Sequence, residues 1–194
     1  MKYTSSIQPN EQELPSHFAD RLGVAYASSV NQLHKKENGQ FFTPLEIAEL
    51  MASYSEFDSK SVRILDPGCG SAILSCVLIE HLVSSNKDLQ AIELIAYETD
   101  IELIPFSKQS ISYLEKWGAS KGIEINTKLY TEDFILHNSD CFREMGDLFS
   151  KPVEQFDIVI SNPPYFKLSI DDKRVKVANA VVNGHPNIYA IFMA

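Results

Sequence analysis

Positive charge is scarce in this sequence. Lys and Arg together number 17 against 26 Asp and Glu, a formal net charge of −9. A domain that grips nucleic-acid phosphates unaided is usually basic, so any such grip must come largely from elsewhere. Cysteine is scarce as well. Cys69, Cys76 and Cys141 form no metal-ligand pattern and no disulfide framework, which points to a reducing, cytoplasmic location. No apolar run reaches the length that crosses a bilayer, so no membrane partner is expected, and Met1–Ser6 is not followed by a signal-peptide core. Internal repeats and low-complexity linkers are missing too. What is present is an ordinary globular balance, 44% hydrophobic and 22% charged. At 194 residues the chain is long enough for one domain with a sizeable core.

The most informative stretch is Phe156-Asp157-Ile158-Val159-Ile160-Ser161-Asn162-Pro163-Pro164-Tyr165. Its first half is apolar and β-branched and reads as a buried strand. Pro163 and Pro164 then stop the strand, because neither can donate to a ladder and each restricts the residue before it. The resulting stiff corner presents an amide (Asn162), carbonyls with no competing N–H at 163 and 164, and an aromatic face (Tyr165). Read by itself, the tetrapeptide is a strand-ending turn. Behind an apolar strand it also fits a definite chemistry. The exocyclic amino group of a nucleobase is a poor nucleophile, since its lone pair is delocalised into the ring. The Asn162 side-chain oxygen and the Pro163 carbonyl can each accept one of its hydrogens, freeing the lone pair. Tyr165 can stack on a base taken out of its helix.

From the start of the chain, residues 1–13 are polar. Pro15-Ser16 opens a helical pattern in Phe18, Leu22, Tyr26, Val30 and Leu33, ended by Lys35–Gly39 with Gly39 as C-cap. His17 and His34, at its two ends, read as solvated. In Gly39-Gln40-Phe41-Phe42-Thr43-Pro44, Thr43 reads as the cap of a helix whose first position is Pro44. Ile47, Ala48, Leu50 and Met51 supply that helix with an apolar face. The same helix start could act as a lid whose free N–H groups and hydroxyl hold a carboxylate.

Val62–Leu65 is a short strand, Asp66-Pro67-Gly68-Cys69-Gly70-Ser71-Ala72 a glycine-rich turn, and Ile73 to Leu82 an apolar helix. This opens a nucleotide-type α/β domain. Ile73 stands where the dinucleotide fingerprint needs glycine, and the P-loop Gly-Lys-Ser/Thr is missing. An acid at a strand end suits a ligand amino group, and Gly68 and Gly70 allow close backbone approach without a pyrophosphate. S-adenosylmethionine fits that description. Ala91–Tyr97 is a second strand. Glu98 follows it, where a ribose diol is usually held. Asp100 reads as the cap of a helix from 101 to about 117, with Gly118 and Gly122 bracketing its end. Lys128–Tyr130 belongs to a third strand. Asp133 can accept from an adenine amino group while Phe134 stacks on the ring; a surface acid beside a core aromatic is the plainer alternative. Cys141–Phe149 reads as a short helix, and Pro152 leads into the fourth strand. In a parallel sheet wound outward from its centre, strands one and four are neighbours. The Asp66–Ala72 turn and the Asn162–Tyr165 corner should then lie side by side, as direct group transfer requires.

In this order the motifs resemble those of the S-adenosylmethionine-dependent N6-adenine DNA methyltransferases of the gamma class. Gln40-Phe41-Phe42-Thr43-Pro44 looks most like type I modification subunits and fused type IIG restriction–modification enzymes. The resemblance implies a Rossmann-like α/β methyltransferase fold over residues 38–194, a mostly parallel sheet with helices on both faces. A helical extension, 1–37, precedes it. It implies Thr43 and Asp66 at the methionine end of the cofactor, the Gly68–Gly70 backbone beside it, Glu98 on its ribose, and Asp133 and Phe134 at its adenine. Asn162, Pro163, Pro164 and Tyr165 would hold the target base. The family's further strands and its DNA-recognition domain are missing, so an enzyme fragment is expected, with its sheet incomplete at the C-terminal side. Double-stranded DNA, reached through regions outside this chain, and a specificity or endonuclease subunit or domain are the implied partners. Ala72 replaces a small residue, commonly Gly, of the family's cofactor loop. Lys173, Arg174 and Lys176 read as a solvated face. Two other functions remain compatible with the residues. One is methylation of protein glutamine or RNA guanine, whose families share the Asn-Pro-Pro corner but lack Gln-Phe-Phe-Thr-Pro. The other is a non-catalytic S-adenosylmethionine-binding remnant.

Overall fold

Four segments pair as a single parallel sheet in the computed structural model, which describes residues 7–31, 33–34, 42–142, 155–181 and 187–193. They are β1 (Ser61–Asp66), β2 (Ala91–Tyr97), β3 (Glu124–Tyr130) and β4 (Ile158–Val159), in the order β3-β2-β1-β4. In β1 and β2 alternate residues go to opposite faces. Val62, Ile64, Ile92 and Leu94 join one core, while Leu65, Ile95 and Tyr97 join another. Both faces are covered, which is why these strands read as nearly continuous apolar runs.

The first face is packed by helices α1 (Pro15–Ser29), α2 (Leu45–Ser53), α3 (Ile73–Ser85) and α4 (Ile104–Ser120). Helix α3 is buried almost all round, with Leu74, Cys76, Leu78, Ile79 and Leu82 in the core, as a helix lying between sheet and helices must be. Short helices α5 (Phe134–His137), α6 (Lys173–Val177) and α7 (Ile188–Phe192) form a second cluster around Ile135, Leu168, Val175, Ile188 and Ile191. Phe134 connects that cluster to the sheet's other face.

Several boundaries differ from the sequence reading. Helix α1 stops at Ser29 and Val30 is extended, so Leu33, 64% exposed, is not on its buried stripe. Ser28 and Ser29 turn their hydroxyls onto the carbonyls of Val24 and Tyr26, a competition that weakens helix continuation. The Gly39 cap, Gln40 and Phe41 lie outside the described residues, as do residues 143–149 of the helix expected at Cys141 and Pro152 beyond it. A 3₁₀ turn covers Ser139–Phe142. Helix α4 begins at Ile104, set by Pro105, and Asp100 caps the turn before it by accepting from the Glu102 N–H at 2.9 Å. Strand β4 has two ladder residues and Val159 is 60% exposed. It is an edge strand among the described residues, not a buried one.

His34 is not simply solvated. Its Nε2 lies 2.8 Å from Asp100 Oδ2. The hydroxyl of Tyr26, a fully buried ring, donates to the same carboxylate oxygen. Tyr26 also meets Phe42 and Phe106 edge to face. Helix α1 is thereby tied to the loop after β2. Replacing Tyr26 by Phe removes one donor from a buried carboxylate and should cost about 1–3 kcal/mol. Thermal unfolding of the purified variant checks this: an unchanged midpoint would mean that the bond contributes nothing.

Candidate active site

The carboxyl ends of β1, β2 and β4 open into one cavity of about 360 Å³, within the range of small-ligand sites. Gly68, Gly70, Glu98, Asp100, Asp133, Phe134, Asn162 and Pro164 all line it. Residues from segments nearly a hundred positions apart meet here because β1 pairs on one side with β2 and on the other with β4.

The turn after β1 is held by its own backbone. The Cys69 N–H donates to the Tyr97 carbonyl at 2.9 Å, and the Ser107 hydroxyl donates to the Gly70 carbonyl at 2.6 Å. Gly70 has φ +57° and Ala72 φ +67°. Both are left-handed, a region glycine enters freely and alanine at a cost of roughly 1–2 kcal/mol. The smaller residue common at position 72 in the resembling family has its physical reason in that angle.

Glu98 faces the cavity from the end of β2. Its Oε2 accepts from the Gly70 N–H at 3.0 Å and its Oε1 from the Asp100 N–H at 2.8 Å. Burial, with Asp100 adding to it, pushes its carboxyl above the usual range. Asp66 sits deeper. It is fully buried, does not line the cavity, and accepts from the Ser75 hydroxyl at 2.6 Å, while its Oδ1 makes no hydrogen bond of normal geometry among the described residues. Desolvation raises its pKa to about 7.

Thr43 does not cap α2, whose N-cap is Pro44 with no side-chain bond. Thr43 is buried instead, and its Oγ1 accepts from Asn162 Nδ2 at 3.0 Å. The other end of the same amide, Oδ1, accepts from the Tyr165 hydroxyl at 2.8 Å. The first motif of the chain thus orients the side chain of the last. Pro163 is buried and Tyr165 half exposed, and neither they nor Thr43 line the cavity.

Asp133 caps α5 through the Leu136 N–H at 3.0 Å, and its second oxygen lies 3.6 Å from Arg174. Arg174 is not on a solvated face. It lines the cavity, is held by Asp172 at 2.6 Å, and lies over the Phe166 ring. Phe192 was not singled out from sequence either. It lines the cavity, packs on Phe134 with centroids 5.6 Å apart, and closes over Gly68, where a Cβ would come within 3.7 Å of its ring. Nothing in the spacing of Ile188–Phe192 says that this segment folds back over the β1 turn. The residues present fit a ligand with a flat ring system against the Phe134–Phe192 pair and a pair of hydroxyls at Glu98. Among the described residues no group of His, Cys, Asp or Glu could hold a metal ion, and no helix is long and apolar enough to cross a membrane.

A parallel sheet of this order, with a glycine turn after β1 and an acid after β2, is a Rossmann-like α/β arrangement. A protein of Listeria monocytogenes assigned as a class I S-adenosylmethionine-dependent methyltransferase superposes with a TM-score of 0.58 at 20% identity, over 94% of this chain and 49% of that one. A protein of Vibrio vulnificus assigned as the modification subunit of a type I restriction enzyme gives 0.52 at 20%, over 88% and 32%. The family model for N-6 DNA methylase matches residues 18–189, and the chain belongs to that family. It is 30% identical over 169 residues to the type II methyltransferase M.BsuBI of Bacillus subtilis, which is 86% of this chain and 32% of that protein. To the methylase subunit of the type I restriction enzyme MjaIX of Methanocaldococcus jannaschii it is 23% identical over 180 residues, 89% and 28% of the two chains. It spans about a third of the length of the curated relatives it matches.

The buried acid yields a prediction. With its folded pKa raised to about 7 from 3.8, Asp66 binds more protons folded than unfolded between those values, so its contribution to stability falls as pH rises through that window. The full effect, on the order of 4 kcal/mol, is removed in Asp66→Asn, an uncharged isostere. Without ligand, the variant should melt with the wild type near pH 3.5 and well above it at pH 8. Parallel melting curves across that range would place the ionisation elsewhere.

Proposed function

We propose that this chain is the cofactor-binding and catalytic part of a restriction–modification methyltransferase that transfers a methyl group from S-adenosylmethionine to the N6 amino group of adenine in DNA. The observation that carries the reading is that the Asn162 corner and the Gly68–Glu98 wall line one cavity. The cofactor, when bound, supplies an electrophilic methyl on a sulfonium sulfur. In this reading Glu98 takes its ribose hydroxyls, Phe134 and Phe192 its adenine ring, and Asp133 the amino group of that ring. The Gly68–Gly70 turn and Asp66 lie toward its methionine end.

The target adenine enters beside Asn162. Its amino hydrogens go to Asn162 Oδ1 and the Pro163 carbonyl, and Tyr165 stacks on its ring. Thr43 fixes which way the amide points, because its Oγ1 holds Nδ2 and leaves Oδ1 for the base. The Tyr165 hydroxyl also donates to Oδ1, whose two lone pairs let it accept from the base as well. A neutral amine can attack and release its proton afterwards, so the site needs no strong base, and positioning supplies most of the rate. With a net charge of −9, the phosphate grip belongs to other regions or to partner subunits, such as a specificity or endonuclease component. The relatives named as methylase subunits of type I restriction enzymes support that arrangement.

The direct test offers the full-length protein methyl-labelled cofactor with unmethylated DNA, total RNA and protein extract in parallel. Label recovered as N6-methyladenine in DNA is expected; label in glutamine or RNA would overturn the substrate. Asn162→Ala should bind cofactor nearly as the wild type while transferring methyl at least about a hundredfold more slowly. Thr43→Val, which removes the Oγ1 acceptor of Asn162 Nδ2, should lose about tenfold in kcat. Wild-type turnover in Asn162→Ala would remove that residue from the catalytic site.

A further inference from the structure

Arg174 is a half-buried cation in the wall of the cavity, and its geometry is set by its own segment. Asp172 caps helix α6 by accepting from the Arg174 N–H at 2.9 Å. The same carboxylate takes the side chain as a fork, from Nε at 2.9 Å and from Nη2 at 2.6 Å. The Phe166 ring lies against the guanidinium, 5.5 Å from centroid to Cζ. The remaining nitrogen, Nη1, makes no hydrogen bond to a described residue. It lies 3.6 Å from Asp133 Oδ2, and the two side chains are 22% and 28% exposed. Of the described residues that line the cavity, Arg174 is the one cation, beside three acids, Glu98, Asp100 and Asp133.

Asp133 is restrained from the other side. Its Oδ1 accepts from the Leu136 N–H at 3.0 Å, at the start of α5. With one oxygen on the helix and the other beside a fixed charge, the plane of the carboxylate is set. A separation of 3.6 Å is too long for a hydrogen bond, so Oδ2 keeps its lone pairs for a donor in the cavity. A simple tie between α5 and α6 does not account for the pair. Arg174 already has a closer, two-pronged partner in Asp172, and the two helices share an apolar cluster through Ile135 and Val175.

We propose that Arg174 is a positioning residue for the cofactor's adenine. Its guanidinium holds the Asp133 carboxylate with Oδ2 presented to the 6-amino group, so that this one contact selects a purine carrying a donor there. The inference rests on the reading of Asp133 as the acceptor for that amino group, and adds to it a residue that acts through Asp133 and is remote in role from the methyl and its acceptor.

The experiment measures, by calorimetry on the full-length protein, the affinity for S-adenosylhomocysteine and for its 6-deamino analogue, in which hydrogen replaces the amino group. Wild type should prefer the amino compound by about tenfold, as one hydrogen bond to a carboxylate provides. Arg174→Met should bind the amino compound about tenfold more weakly and the analogue within about threefold of wild type, so that the preference is lost. Arg174→Lys, which keeps the charge, should recover part of it. In an Asp133→Asn background, adding Arg174→Met should cost less than about threefold, because the carboxylate that Arg174 positions is gone. Melting curves without ligand report folding, and Arg174→Gln, which keeps the stem and a polar head, takes the place of Arg174→Met if that variant does not fold. Equal weakening of both compounds would overturn the inference, since the residue would then only build the wall. An unchanged preference, or a full loss repeated in the Asp133→Asn background, would overturn it as well. A wild type that binds both compounds alike would overturn the reading of Asp133 together with it, and one that binds neither would overturn the reading of the cavity.

Discussion

The pairing of β1 with β4 is the contact on which the site depends. It consists of two ladder positions, Ile64 opposite Ile158 and Leu65 opposite Val159. So short a ladder is weak by itself, and side chains reinforce it at its entrance. The Arg63 N–H donates to the Asp157 carboxylate at 2.7 Å, the Asp157 N–H to the Arg63 carbonyl at 2.9 Å, and the Arg63 guanidinium to the Gln155 carbonyl at 2.5 Å. At the exit, the Ile160 N–H reaches the Leu65 carbonyl at 3.0 Å. These bonds set the register of β4, and the register decides where the chain stands when the prolines stop it. A shift of one residue would turn Asn162 away from the β1 turn, because side chains alternate faces along a strand.

The floor of the site carries charge at a cost to stability. Asp66 is buried with one oxygen that makes no hydrogen bond of normal geometry among the described residues, and Glu98 is largely desolvated. Ala72 sits fully buried in a left-handed conformation. Such features persist where the surrounding structure over-determines them, and they cluster at ligand sites. Here the apolar helix α3 and the parallel ladders on either side of β1 supply that surplus. The chemistry of the floor and the packing of the core are thus parts of one energy balance, since a less buried α3 would leave the turn free to relax.

Two aromatic pairs flank the site. Phe134 and Phe192 line the cavity, while Tyr165 and Tyr189 stack outside its lining. Both pairs join a residue after a strand to a residue of α7. That helix, five residues long, therefore completes both ends of the site. The negative charge of the chain fits this design. In the proposed reading it is tolerable beside a cationic cofactor, and DNA binding belongs to surfaces elsewhere.

Much of this was legible beforehand because it is local. Strand, glycine turn and helix at Val62–Leu82 follow from periodicity and from what glycine and proline allow. So do the acid after β2 and the proline corner after β4. Their adjacency could be argued too, since a parallel sheet wound from its centre has few possible orders, and the observed order is the expected one. What lay beyond reach depends on contacts between distant segments. Thr43 looked like a helix cap and is instead the partner of Asn162. Arg174 looked solvated and instead faces Asp133. His34 and Tyr26 converge on Asp100, and Phe192 and Tyr189 fold back to the β1 turn and the Asn162 corner. A hydroxyl or a guanidinium has the same sequence signature whichever carboxylate or amide it meets. Spacing along the chain sets local conformation, but the choice of partner is made by the three-dimensional register of the sheet and by the burial of α7.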